Sequence, residues 1–176
     1  MDSSSAAILG AFIGGTAIVG SYVILESYKR YRDRQGTASA FAGEIAAELR
    51  MGEARKYVEN FTTIAAQLEQ GDERPFPAIV SGEHRGPEPA LRPLRDRIGM
   101  LPGDLPERVA QFHLYLGAIR TDLLRLAEGE FRGRPADAAI LIREDLHLWV
   151  NDTVPLGRQL VTDLRALVRR RWFGLF

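Results

Sequence analysis

The sequence predicts an all-α protein, with one N-terminal transmembrane helix followed by an antiparallel bundle of about three long helices. A Pro/Gly-rich loop and a short helix lie within that bundle. Three observations predict this class. An uncharged run of twenty residues lies near the N-terminus. Apolar residues recur at three- and four-residue spacings in three later segments. Prolines and glycines are concentrated between the first two of those segments.

The uncharged run extends from Ala6 to Leu25. An α-helix of this length rises about 30 Å, the thickness of the hydrocarbon layer, and bonds its own backbone groups there. We therefore expect a transmembrane helix over residues 6–27, preceded by an extracytoplasmic tail over residues 1–5.

Basic residues follow this run within nine positions: Lys29, Arg30, Arg32 and Arg34. No Lys or Arg precedes it, so the positive-inside rule places residues 38–176 in the cytoplasm. A basic juxtamembrane segment over residues 28–37 then meets the lipid headgroups.

A cleavable signal peptide is the competing interpretation, because residues 38–40 have the small-x-small form of a cleavage site. The basic cluster between that site and the apolar run opposes it.

Composition limits the function classes and the number of domains. The chain has 23 basic and 23 acidic residues, and residues 29–176 carry 23 basic against 21 acidic, so no concentrated basic surface favours nucleic-acid binding. No cysteine is present, which excludes disulfides and thiolate sites. Arginine supplies 21 of the 23 basic residues, a bias typical of a high-GC bacterial genome. We expect one cytoplasmic domain at the bacterial inner membrane.

Three amphipathic segments predict the long helices of this domain, over residues 38–70, 105–128 and 135–172. The second has a heptad seam from Leu105 to Leu126. The third begins at Arg134-Pro135, where a first-turn proline is tolerated, and Pro155 predicts a kink near Asn151. Periodicity leaves open whether the transmembrane helix continues into the first of these helices.

The connection over residues 71–104 is predicted to contain no long helix, because seven prolines and five glycines fall between residues 71 and 106. A short helix is expected over residues 91–98. A connection of this length in a small domain is either a docked cover or a functional loop.

One stretch carries a resemblance to a known group of proteins. Residues 93–102 contain Ile98-Gly99-Met100-Leu101, and residues 109–116 follow with Phe112-His113. This arrangement resembles uncharacterised bacterial single-pass membrane proteins with a cytoplasmic helical domain, in which an Ile-Gly-x-Leu or Leu-Gly-x-Leu turn precedes a helix carrying Phe-Tyr. The chain has His113 in place of the tyrosine. The resemblance covers about 30 of 176 residues and implies the fold and the tether, with no activity.

Small residues predict a packing face on the transmembrane helix. They share one side of the helix: Ala7, Gly10, Gly14, Ala17 and Ser21. Close backbone approach is what allows helices to associate in lipid, so this face predicts a contact with another membrane protein or with a second copy of the chain. The alternative is that glycine and alanine are simply common in membrane helices. We expect a homo-oligomer or a subunit of a membrane complex.

The C-terminus combines basic and aromatic residues: Arg169, Arg170, Arg171, Trp172, Phe173 and Phe176. Anionic headgroups and the bilayer interface favour this pairing, so the segment is a candidate for contact with a membrane or a partner. The alternative is a packed last turn whose arginines interact with the helix dipole.

The sequence predicts no catalytic, cofactor-binding or metal residues. Glu144 and His147 have the spacing of a dimetal-bundle motif, but the required second Glu-x-x-His is absent. We therefore expect a non-enzymatic, membrane-anchored helical interaction protein that acts as an adaptor, accessory subunit or scaffold. The alternative is a sensory or regulatory protein whose 71–106 loop and bundle bind a ligand, and an enzyme with an unrecognised site comes third.

Overall fold

The computed structural model describes residues 3–72, 94 and 96–169, with side chains from residue 21 onward, and the regular secondary structure of this part is entirely helical. The helices are α1 (Ser3–Ala54), α2 (Tyr57–Glu69), a 3₁₀ turn (Ile98–Met100), α3 (Leu105–Ala127), α4 (Pro135–His147), a π-helical segment (Leu148–Thr153) and α5 (Val154–Arg169). No strand occurs in these ranges, so the all-α class is confirmed.

Helix α1 is continuous across the basic residues 28–37, which answers the question that periodicity left open. It has 52 residues. Gly36 lies within it, and a single glycine lowers helix stability by only about 1 kcal/mol. Proline, which breaks helices, is absent from the segment. The predicted membrane helix and the first bundle helix are therefore one element.

The helix predicted over residues 38–70 is instead divided at Arg55 and Lys56. Lys56 adopts a left-handed conformation, with φ 51° and ψ 50°. The side chain of Asn60 donates a 2.7 Å hydrogen bond to the carbonyl of Arg55, which satisfies a group left over where α1 ends. The prediction of one uninterrupted helix is wrong here, because neither Gly nor Pro marks the break in the sequence.

Helices α4 and α5 form one rod that is interrupted by the π-helical segment. Pro155 has no amide hydrogen, so the carbonyl of Asn151 loses its usual partner in an α-helix. The chain takes a π turn over Leu148–Thr153 at this place, and the hydroxyl of Thr153 donates a 3.0 Å hydrogen bond to the carbonyl of Leu148. The kink predicted near Asn151 stays a prediction, and what the structure shows at this place is a π turn.

The α1–α2 rod and the α4–α5 rod run antiparallel. Three contacts along their length fix the register: Gln35 with Val168 at 2.9 Å, Glu53 with Arg158 at 3.3 Å, and Glu69 with Arg143 at 2.6 Å. Helix α1 therefore packs on α5, and α2 packs on α4.

Helix α3 is also antiparallel to the α4–α5 rod. Arg108 near its start contacts Asp163 at 2.8 Å, and Phe112 lies against Gly157. Two rods that both run antiparallel to a third are parallel to each other, so α3 runs in the same direction as α1. Three rods cannot all be antiparallel to one another, so the expected antiparallel bundle must contain one parallel pair, and in this structure that pair is α1 with α3.

A single apolar core joins these rods. Its largest fully buried side chains include one phenylalanine from each of three helices: Phe41, Phe61 and Phe112. The predicted heptad seam of α3 supplies buried Leu105, Val109, Phe112, Ile119 and Leu126, whereas Leu116 and Leu123 are only partly buried. Leu116 and Leu123 still pack against this core.

Candidate functional site

The most unusual surface is the apolar part of α1 that lies before the bundle. Tyr22, Val23, Ile24 and Leu25 are 72%, 57%, 57% and 67% exposed. An α-helix has 3.6 residues per turn, so four consecutive residues face every side of the helix. A helix that is apolar on all sides normally lies in a protein core or in a bilayer. The described part of the bundle covers none of these sides.

The predicted headgroup residues lie between this apolar stretch and the bundle. Lys29, Arg30, Arg32 and Arg34 are all exposed. Arg30 contacts Glu26 at 3.0 Å across one helical turn. Their side chains therefore surround α1 just before its first contact with α5.

The end of α5 meets α1 at the same level. The side-chain amide of Gln35 donates a 2.9 Å hydrogen bond to the carbonyl of Val168 and a 2.7 Å hydrogen bond to the hydroxyl of Tyr31. Arg169 is exposed and follows directly. The remaining predicted contact residues of this segment, Arg170 to Phe176, lie outside the described residues.

The predicted small-residue face has its backbone within α1. The side chains of Ala7, Gly10, Gly14 and Ala17 lie outside the described ones, and Ser21 is exposed. Within the described part of the chain, no helix combines the length and the apolar character that crossing a membrane requires.

A second surface feature is a groove of about 470 Å³ at the middle of the bundle, which we call the waist groove. It lies where the α1–α2 break and the π-helical segment are side by side. Tyr57 and Trp149 meet edge to face, with ring centroids 5.4 Å apart. Lys56, Val150 and Arg158 also line it. Both rods depart from regular α-helix at this level, and π turns are frequent at functional sites.

The waist groove has an apolar floor and a charged rim. Val58 and Val150 are exposed beside the two rings, and Glu53 pairs with Arg158 across the edge at 3.3 Å. Such a surface suits contact with an amphipathic partner. Of the predicted 71–106 loop, residues 73–93 and 95 lie outside the described residues, so its relation to this groove stays a prediction.

One buried acid was missed by the sequence reasoning. Asp145 is 3% exposed, and its Oδ2 atom has no hydrogen-bond partner. Burial, together with the negative charges of Asp122 and Glu144, raises its pKa to about 7. Asp145 lies on the face of the helix that also carries buried Ala138, Ile142 and Trp149. The apolar pattern gives no sign of this, because a charged residue is not expected on a buried face.

A polar contact also lies between α1 and α3. His113 Nε2 is 3.5 Å from Glu44 Oε1, and both side chains are largely buried. The rings of Phe41 and Phe112 flank the imidazole. The contact lies where the two parallel helices face each other.

Glu144 and His147, the pair with dimetal spacing, are both exposed. The described residues contain no group of three potential ligands that would hold a metal ion. The chain matches no protein-family model, no curated protein and no solved structure.

Proposed function

We propose that this protein is a membrane-anchored helical interaction protein, an adaptor, accessory subunit or scaffold at the bacterial inner membrane. The observation that carries the proposal is the stretch Tyr22–Leu25, which is apolar and exposed on every side of α1. Exposed apolar surface costs about 25 cal/mol per Å² in water, and a bilayer removes that cost for all sides of a helix at once. A single protein partner would cover only some of those sides.

The sequence on either side of this stretch supports the same proposal. The uncharged run begins at Ala6, and the exposed basic residues begin at Lys29. This order favours a single membrane pass with the N-terminus outside and the bundle in the cytoplasm. The bundle is then held next to the bilayer through the continuous helix α1.

The anchoring is tested by washing membranes from cells that produce the full chain with alkaline carbonate. We expect the protein to stay in the membrane pellet. The double variant Ile13→Asp/Val19→Asp should be released, because an acid at the centre of a membrane helix costs about 3 kcal/mol. The matched control Val58→Asp/Ile140→Asp places the same charges on exposed apolar positions of the bundle and should stay in the pellet. Release of the unmodified chain would disprove the anchoring.

The interaction role is tested by purification in mild detergent followed by mass spectrometry. We expect a stoichiometric membrane protein or a second copy of the chain to be retained. Gly14→Leu should weaken this association because the larger side chain prevents close approach of the two helices. Ile13→Leu, on a neighbouring face, is the control. Equal retention by the Gly14→Leu variant would remove the small-residue face from the proposal.

A second candidate function is a ligand-responsive regulator. The waist groove favours it, since both rods are irregular where Tyr57 and Trp149 meet. Retention of a small molecule by the purified homo-oligomer would support this candidate over the adaptor.

A further inference from the structure

We propose that α1 and α5 together form a binding surface for the anionic headgroups of phospholipids. This inference rests on the proposed anchoring and names the lipid class that the bundle selects. Six exposed residues make up this headgroup surface: Lys29, Arg30, Arg32, Arg34, Arg165 and Arg169. Four of them precede the bundle on α1, and two lie at the end of α5.

The register of the two helices brings these groups together. The 2.9 Å hydrogen bond from Gln35 to the carbonyl of Val168 fixes the end of α5 beside the basic segment of α1. Arg169 therefore lies within about one turn of Arg34. Arg165 lies one turn before Arg169 on α5, about 6 Å farther from the apolar stretch of α1. The flexible stem of an arginine can span this distance.

The charge of this surface is strongly positive although the chain as a whole is neutral. Over residues 26–34 and 165–169, the acids are Glu26 and Asp33 against the six basic groups. Glu26 is already paired with Arg30. Asp96 and Arg97 precede the neighbouring 3₁₀ turn, and their opposite charges add no net charge to this region. Each basic residue held near an anionic membrane surface adds attraction.

The α5 side of the surface contains a shallow groove. Thr162, Arg165, Ala166 and Arg169 line a shallow groove of about 500 Å³ along one face of the helix. Two guanidinium groups four residues apart stand on that face, and guanidinium forks bind phosphate oxygens in a bidentate way. The adjacent apolar stretch of α1 favours lipid phosphate over free phosphate. The membrane-facing end of the groove, at Arg169, is level with Arg34, about 10 Å along α1 from the end of the predicted membrane helix, and the long arginine stem reaches toward the headgroups.

The test uses the full chain in lipid nanodiscs made from equal amounts of phosphatidylcholine and phosphatidylglycerol. Native mass spectrometry then measures which lipids remain bound on release. We expect phosphatidylglycerol to be enriched. Arg165→Gln/Arg169→Gln should lower the enrichment by about fivefold for each arginine removed, while Arg165→Lys/Arg169→Lys should keep part of it. Inorganic phosphate added to the nanodiscs should leave the enrichment unchanged.

The control is Arg132→Gln/Arg143→Gln, which removes the same two charges from exposed positions near the other end of the bundle. It should retain the full enrichment. Equal enrichment in the Arg165→Gln/Arg169→Gln variant, or loss of enrichment on adding phosphate, would overturn the inference. Failure of the anchoring itself is recognised separately, because the chain would then not be recovered with the nanodiscs.

Discussion

At the residue scale, Asp145 shows how a single charge is tolerated inside an apolar seam. The core is continuous around it, with Ile142 on one side and Trp149 on the other. Ionising the carboxyl there removes it from water and places it near the charges of Asp122 and Glu144, so the neutral form is favoured. The bundle therefore holds a group that changes charge close to neutral pH.

This carboxyl predicts a pH-dependent stability. Its pKa is raised from 3.8 in the unfolded chain to about 7 in the folded one. The folded state binds the proton more tightly, so this contribution to stability is fully present below pH 4, falls as the pH rises to about 7, and stays low above that. Asp145→Asn should abolish this fall and raise the free energy of unfolding at pH 8 by about 2 to 4 kcal/mol.

The measurement is denaturant unfolding of the full chain in detergent, followed by circular dichroism over this pH range. Asp152→Asn is the control, because Asp152 is exposed and lies a few residues away on the same rod. If Asp145→Asn and Asp152→Asn changed the pH dependence equally, the buried carboxyl would not be its source.

At the scale of elements, glycines on two helices allow aromatic side chains from neighbouring elements to pack closely against them. Gly52 lies on α1 and Gly157 lies on α5, and both are buried against a neighbouring element. A Cβ atom added at Gly157 would lie 2.6 Å from the Phe112 ring, and one added at Gly52 would overlap the Trp149 ring. The large aromatic side chains of one helix fill the space that glycine leaves on another.

Gly157→Ala should destabilise the bundle. The added methyl group forces Phe112 or Leu49 out of place, and overpacking of this kind costs about 1 to 3 kcal/mol. Gly117→Ala is the matched control, since Gly117 is exposed in the middle of α3 and nothing lies within 4 Å of its added Cβ. It should gain up to about 1 kcal/mol from helix propensity. Thermal unfolding compares the two, and a stabilised Gly157→Ala variant would contradict the described packing.

The break between α1 and α2 makes a further prediction. Lys56 holds a positive φ that costs a residue with a Cβ about 1 kcal/mol and costs glycine almost nothing. Lys56→Gly should therefore stabilise the protein by about 1 kcal/mol. Arg55→Gly, at the neighbouring position without positive φ, should destabilise it instead. Denaturant unfolding distinguishes the two; a loss of stability in the Lys56→Gly variant would show that the left-handed turn is absent.

At the scale of the whole molecule, the direction of α3 distinguishes this fold from an alternating up-down-up bundle. Arg108 near the start of α3 lies beside Asp163, so α3 begins at the end of the bundle where α1 enters it. An alternating up-down-up bundle would instead place the start of α3 beside the end of α2. The two arrangements bury similar seams, and they differ in which ends meet.

Cross-linking tests this arrangement, because the chain has no cysteine of its own. Arg108→Cys/Asp163→Cys should be joined by a short bifunctional maleimide within one chain, as the two side chains contact each other at 2.8 Å. Glu69→Cys/Arg108→Cys is the matched pair and should not be joined, since Glu69 contacts Arg143 in the other half of the bundle. Joining of the Glu69→Cys/Arg108→Cys pair would establish the alternating arrangement. The first pair is joined in either arrangement, because α3 runs antiparallel to the α4–α5 rod in both, and it therefore serves as the positive control. Gel mobility after cross-linking gives the readout.

The sequence by itself determined the helical class, the apolar seam of α3, the hydrogen bond that the helix loses at Pro155 and the uncharged run that motivates the proposed anchor. These are properties of spacing and of single residues, since apolar periodicity fixes which face is buried and proline removes a hydrogen bond wherever it lies. Only the tertiary structure decided the continuity of α1, the break at Lys56, the parallel course of α3 and the burial of Asp145. Each depends on which helix ends meet and which side chains face each other, because contacts between residues distant in sequence outweigh the small local preferences.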